Sequence, residues 1–186
     1  MAAPSRVRIA VAALTLSVAG FGAWKAQEGD GPVTVRGDGV EVLHPYIPTQ
    51  GDVPTIGHGS TRYEDGTRVT LADPPITRRR AEELARNLNR PEERRFAASL
   101  PGVMLTQEEF DLYMNFVGQF GMSNWTGSSM QRELRAGRPR AACDALLRYR
   151  FQAKRDCALP QNWGPKGCKG VWLRQQERHA ACLAAQ

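Results

Sequence analysis

The sequence predicts an α+β chain, mainly helical, with a small β-ribbon lobe, a helical lobe and an N-terminal apolar helix. Three observations predict it. An uncharged run, Ile9–Trp24, stands near the start. A turn-rich stretch from Gln27 to Thr61 follows, in which short β-branched runs alternate with glycines. From Thr77 onward apolar residues recur at helical spacing. At 186 residues the chain fits one main domain, 27–186, behind a short extension, 1–26.

Residues 1–8 carry Arg6 and Arg8 and no acid, so a basic stretch precedes the apolar run, the order found in export segments. The run is sixteen residues long and rich in Ala and Gly, shorter than the ~20 that a stable membrane span uses. Trp24 and Lys25 interrupt the small-residue cleavage candidates. Three readings are open: a cleaved signal peptide, an uncleaved marginal anchor, and an ordinary buried helix. The uncleaved anchor is the expected one.

Pro32–Val35 and Val40–Leu43 flank Arg36-Gly37-Asp38-Gly39, which reads as a β-hairpin with the Arg-Gly-Asp triplet at its tip. Val53–Ile56 reads as a third short strand, and Gly57-His58-Gly59 permits a close backbone approach. Thr77 is a good N-cap for a helix over Arg78–Leu88, whose three leading arginines read as a solvated first turn. A second helix is expected over Glu92–Ser99. Thr106 and Glu109 stand at capping-box spacing before a helix through Phe110, Tyr113, Met114 and Val117. Ser128–Ala136 (ended by Gly137), Arg140–Tyr149 and Gly170–Ala184 complete the helical part. Trp125 and Trp172 are expected in the core, His58 as a packing or hydrogen-bonding residue, and Arg174 with Glu177 as an ion pair or buttress.

Cationic side chains exceed acidic ones by six. That excess suits an anionic partner, but no nucleic-acid-binding motif accompanies it and the arginines are spread along helices. The four cysteines, 143, 157, 168 and 182, lack CxxC spacing, and three histidines are too few and too distant to complete a zinc site. No metal or cofactor is implied. An even count behind an export-like segment favours two disulfides. Three pairings are open, and Cys157–Cys168, closing a short loop, with Cys143–Cys182, tying two helices, is the expected one.

Cleaving a glycosidic bond takes a carboxylic acid to protonate the leaving oxygen and a second group to position water. Glu28 fits the first role. It follows a predicted helix, whose negative C-terminal pole favours the protonated carboxyl. Asp52, at a glycine turn, and Thr55, on a short strand, fit the second. By itself this constellation is weak.

Four blocks add to it. VAALTLSVAGFGAWKAQEG, YIPTQGDVPTIGHGST, NFVGQFGMSNWTGSSM and GCKGVWLRQQERHAACL resemble the phage-type lysozymes of glycoside hydrolase family 24, and within them the signal-anchor-release endolysins. The most specific parts are the Thr-Ile-Gly-x-Gly signature at Thr55–Gly59 and the C-terminal block. The resemblance implies a lysozyme-like fold. It implies hydrolysis of the β-1,4 bond between N-acetylmuramic acid and N-acetylglucosamine, with Glu28 as acid and Thr55 as the catalytic threonine. It also implies a monomer that is exported by the host secretion machinery, tethered to the inner membrane by its N-terminus and released to the periplasm. The sequence departs from the family in three places, one being Gln119-Phe120 where Asn-Val is commoner. Pro32–Leu43 reads as an inserted hairpin, which makes Glu41 a rival acid. The family's aspartate slot falls near Pro48 or Thr49, so Asp52 is displaced and stands about evenly between catalytic aspartate and turn residue. A lytic transglycosylase and a non-catalytic, membrane-tethered wall-binding protein are the alternatives.

Overall fold

The computed structural model describes residues 7–186, apart from the side chains of Gln27 and Glu28. The chain divides into two units, one of Met1–Ser17 with Arg95–Gln186 and one of Val18–Arg94. The basic stretch 1–6 lies outside the described residues.

The first unit is helical. Its helices are α3 (Gln107–Trp125), α4 (Ser129–Arg135), α5 (Pro139–Ala145) and α6 (Lys169–Ala184). Thr106 and Glu109 form the expected capping box, each side chain taking the other residue's backbone N–H. Ser128 caps α4 by accepting from Gln131 N, and Gly137, at φ 68°, follows its end. The core is aromatic: Phe96, Phe110, Tyr113, Phe116 and Trp125 are all 0% exposed. Phe96, Tyr113 and Phe116 pack on the Trp125 ring, and Trp125 Nε1 donates to Ser99 Oγ at 2.8 Å, so the indole is buried with its one donor satisfied. Both expected disulfides are present, Cys143–Cys182 between α5 and α6 and Cys157–Cys168 around a loop.

The apolar run near the start is not the single helix that the sequence predicts. Ile9–Ala10 is a short strand, β1, paired antiparallel with Met104–Leu105. Val11–Ala13 is a 3₁₀ turn, and a helix, α1, begins only at Val18 and ends at Glu28. The physical reason lies in the pairing. Val11 N donates to Val103 O at 3.0 Å, and Val11, Leu14 and Leu16 enter the aromatic core. An extended course delivers three side chains to that core where a helix would carry part of its apolar surface away from it. Among the described residues no helix is long and apolar enough to cross a membrane.

The second unit, Val18–Arg94, holds the ribbon. Strands β2 (Val33–Val35) and β3 (Glu41–Leu43) form the expected hairpin, its tip closed by an Arg36–Asp38 ion pair. Numbering Met104–Leu105 as β5, the strand Ile76–Thr77 is β4 and extends the sheet as β2-β3-β4. The expected strand over Val53–Ile56 is reduced to two single bridges, Tyr46 with Thr55 and Ile56 with Ser60. The glycines on either side of His58, both at positive φ, turn the chain back before a ladder can extend. Gly57 has a second constraint: at φ +61°, an added Cβ would lie 2.8 Å from Ala81 Cβ. Gly57→Ala is therefore expected to destabilise this unit by about 2–4 kcal/mol, from left-handed strain and overpacking together. An unchanged urea midpoint would contradict it.

Where the sequence predicts two helices, Arg78–Leu88 and Glu92–Ser99, there is one, α2, Arg78–Ala98, with Pro91 inside it. Pro91 is exposed and forfeits a hydrogen bond on the solvent side, while Ala81, Leu84, Ala85 and Phe96 keep one buried phase through it. The leading arginines are not all solvated. Arg80 binds Glu64 with two N–H groups at 2.7 Å, and Arg78 is bound as described below.

Candidate active site

Glu28 is the last residue of α1, and Gly29 follows it at φ 75° with its N–H on Lys25 O. That is a glycine helix end, so the chain breaks sharply beside the negative pole of the helix. The side chain of Glu28 lies outside the described set. Its neighbours are defined. Lys25 bonds Glu82 of α2 at 2.6 Å. That ion pair holds the Glu82 carboxyl below the usual range and fixes the last turn of α1 on α2.

Two residues past Glu28, Asp30 is the centre of a charge cluster. Its Oδ2 accepts from Arg78 Nη1 at 2.6 Å, and its Oδ1 lies 3.0 Å from His58 Nδ1. Arg78 also donates from Nε to Glu41 at 2.8 Å. The Arg78 hydrogen bond is the main reason that the Asp30 carboxyl lies below its ordinary range, with burial opposing. Glu41, half exposed on β3, is thereby an ion-pair partner that ties the inserted hairpin to α2.

His58 is 1% exposed. Its contact with Asp30 is short but off the direction of a well-formed hydrogen bond, so neither ring nitrogen has a fully directed partner. Burial pushes its pKa down. The Asp30 charge, the Gly29 backbone and Glu82 pull it up, and Lys25 adds to the push. The expected packing role is met, with an addition: His58 joins the segment after Glu28 to the loop after Thr55. A histidine neutral in the fold binds fewer protons there than in the unfolded chain. Its contribution is complete above the ordinary value of 6.5 and is lost as pH falls below it. The thermal midpoint is expected to drop between about pH 7 and 5.5, and His58→Gln to flatten that drop. Parallel profiles would contradict this. The carboxylates Asp30 and Glu82 titrate below that window, since both are lowered.

Thr55 is 4% exposed and paired through its backbone with Tyr46. Its Oγ1 donates to Val53 O at 3.1 Å. With its proton committed, the hydroxyl offers lone pairs, the right polarity to accept from a water and leave that water's own lone pair free to attack. Asp52 is exposed in the turn after Gly51, its N–H on Thr49 O. The structure thus brings the segments of Glu28 and Thr55 together through Asp30 and His58 and leaves Asp52 on a solvent-facing turn.

Two structural residues carry no motif in the sequence. For Asp30 the one signal is its place two residues after a candidate acid. On α6 the expected Arg174–Glu177 ion pair is not among the described ion pairs. Arg178 is the buried cation instead, with Nε and Nη2 donating to Asn115 Oδ1 at 3.0 and 2.7 Å. Burial lowers its pKa to about 10.

Comparison with known proteins fits this geometry. The family model described as phage lysozyme matches residues 38–160, a range that contains Glu41, Asp52 and Thr55 and begins after Glu28. The endolysin of Salmonella phage P22 is 31% identical over 122 residues, 65% of this chain and 82% of that protein. A crystal structure of a P22 lysozyme point mutant superposes with TM-score 0.68 at 25% identity, covering 91% of this chain and 99% of the other. The endolysin from Escherichia coli O157:H7 phage FAHEc1 gives 0.65 at 22% identity over 94% and 96% of the two chains. The muramidase domain of SpmX from Asticaccaulis excentricus gives 0.56 at 20% over 91% and 98%, and these last two likenesses speak to the fold alone.

Proposed function

Because the chain belongs to the phage lysozyme family, we propose that it is a peptidoglycan hydrolase, a muramidase cleaving between N-acetylmuramic acid and N-acetylglucosamine. The family match over residues 38–160 carries this reading. Glu28, at the negative end of α1, is the general acid that protonates the leaving oxygen. Thr55, its proton already given to Val53 O, accepts from the attacking water. Asp52 takes the proton that this water releases. Such a single displacement inverts the anomeric centre. The hydrogen bond from Arg78 to Glu41 favours Glu28 over Glu41 in the acid role.

The N-terminal run has two competing environments. In the folded chain Val11, Leu14 and Leu16 belong to the helical core, and Phe21 is buried under Arg86. The same side chains are the apolar content of a marginal membrane segment. We infer that export through the host secretion machinery places residues 9–24 in the inner membrane. Leaving the bilayer then lets those residues complete the helical unit and the Glu28 helix, so that release to the periplasm and folding are coupled. Incubation of purified sacculi with the protein tests the enzymatic reading: falling turbidity with new reducing ends supports it. Binding without clearing would point to a wall-binding protein.

A further inference from the structure

The chain's positive charge is unevenly spread. Residues 150–169 hold Arg150, Lys154, Arg155, Lys166 and Lys169 against the single acid Asp156, and so carry four of the net six positive charges. Asp156 is already committed, 3.1 Å from Arg150 Nε and accepting from Ala158 N. Among the described residues no carboxylate forms an ion pair within 4.0 Å of Lys154, Arg155, Lys166 or Lys169.

This segment is tightly built. Strands β6 (Phe151–Gln152) and β7 (Arg155–Asp156) form a hairpin, and the Cys157–Cys168 disulfide closes the loop beyond it. Asn162 Nδ2 donates to Asp156 O at 2.8 Å, Trp163 Nε1 to Cys157 O at 2.8 Å, and Arg155 Nη1 to Lys166 O at 3.1 Å. At Gly167 an added Cβ would fall 2.5 Å from Asn162 O, so the backbone closes on itself there. The hairpin turn places Ala153 and Lys154 at φ 47° and 64°, a left-handed pair usually given to Asn or Gly. Within this frame a pocket of about 530 Å³ is lined by Arg155, Gln161, Asn162, Trp163, Pro165 and Lys166. Lys169 Nζ stands 4.7 Å over the Trp163 ring.

We propose that this disulfide-closed loop is a second contact with the wall, a pocket that takes a carboxylate of the peptide stems of peptidoglycan. The proposal rests on the peptidoglycan reading above and deepens it. The uncommitted N–H groups of Arg155 suit a carboxylate's two oxygens, and Lys166 adds positive charge. The Gln161 amide matches the N–H and C=O of a peptide, while the Asn162 side-chain N–H is committed to Asp156 O. Trp163 offers a flat apolar face to the peptide's aliphatic part. A bilayer would take the exposed Phe151 and Leu159 of this segment, whereas the pocket is a concavity in which Arg155, Lys166 and amides stand beside Trp163 and Pro165, and the vesicles of the test below separate the two. Holding one stem keeps the protein on its substrate between cleavages by raising the local concentration of the next bond.

The test is sedimentation of the full chain at 4 °C with purified sacculi, with stripped sacculi (glycan strands freed of their stems by an amidase and coupled to beads), and with phosphatidylglycerol–phosphatidylethanolamine vesicles. The double variant Arg155→Glu/Lys166→Glu, both sites exposed, is expected to bind intact sacculi about tenfold more weakly. It should bind stripped sacculi as the parent does, and cleave a soluble stem-free glycan at the parental rate. Arg155→Lys/Lys166→Arg should restore most of the retention. If the charge reversal disturbs the loop, Arg155→Gln/Lys166→Gln reads the same way. Unchanged retention on intact sacculi, an equal loss on stripped sacculi, or a loss confined to vesicles would each overturn the proposal. Retention is read without turnover, so a parent that binds stems but clears no wall would sink the hydrolase reading and leave the pocket standing.

Discussion

Glu28→Gln is expected to slow the clearing of sacculi by roughly a hundred- to ten-thousandfold, the usual worth of a positioned general acid. Glutamine keeps the shape of the side chain and cannot give up a proton in its place. Binding to the wall and the thermal midpoint should stay near parental values, because Lys25–Glu82 and Asp30–Arg78 hold the end of α1 independently of residue 28. The matched control is Glu41→Gln. Glu41 bonds Arg78 from a half-exposed position on β3, so its loss removes an outer ion pair and should leave the rate within about threefold. Zymography of the two variants side by side decides between the carboxylates, and a silent Glu28→Gln beside a dead Glu41→Gln would reverse the assignment.

Removing residues 1–17 is expected to unfold the helical unit. Val11, Leu14 and Leu16 are 2%, 5% and 9% exposed within the aromatic core. Burying three such side chains stabilises by roughly 5–9 kcal/mol as an upper figure. Arg8 Nη2 bonds Glu109 Oε1 at 2.8 Å, and the Glu109 side chain is fully buried. Arg8 is 30% exposed and Glu109 keeps Gln186 Nε2 and Thr106 N as donors, so losing this pair costs less than the ~3–5 kcal/mol of a fully buried one. The backbone bond to Val103 and the Ser17 N bond to Asp111 Oδ1 at 3.0 Å go as well. Against a total stability of about 5–15 kcal/mol, the truncated chain should show no cooperative melt. A sharp transition near the parental midpoint would show that the segment is dispensable to the fold. Arg8→Met isolates the ion pair and should cost only part of the total.

How much of this was legible in the sequence depended on how local its cause is. The Thr106–Glu109 capping box and the turn of the hairpin around Arg36–Asp38 are set by residues close in sequence, and each appears where the sequence predicts it. Of the three open cysteine pairings, the expected one, Cys157–Cys168 with Cys143–Cys182, is present. The errors are tertiary. Pro91 reads as a boundary, yet a buried face on both sides of it carries α2 through. Ile9–Trp24 reads as one apolar helix because composition does not reveal that Met104–Leu105 offers a strand partner. At the site, Glu28 and Thr55 were nameable from spacing and resemblance. The Asp30–Arg78–Glu41 and Asp30–His58 contacts were not, because they join residues that are 37 and 48 positions apart or hidden in a turn. The arginine run that opens α2 shows the same limit. Its charges oppose the helix dipole, and only the folded positions of Asp30, Glu41 and Glu64 explain them.

The most direct test of the central claim, that this chain hydrolyses the glycan, is digestion of sacculi in ¹⁸O-labelled water followed by mass spectrometry of the released muropeptides. Hydrolysis at the muramic acid carbon predicts reducing N-acetylmuramic acid ends that carry one ¹⁸O each, and their loss in Glu28→Gln. Unlabelled anhydro-muramic ends would contradict it and assign the chain a lytic transglycosylase reaction.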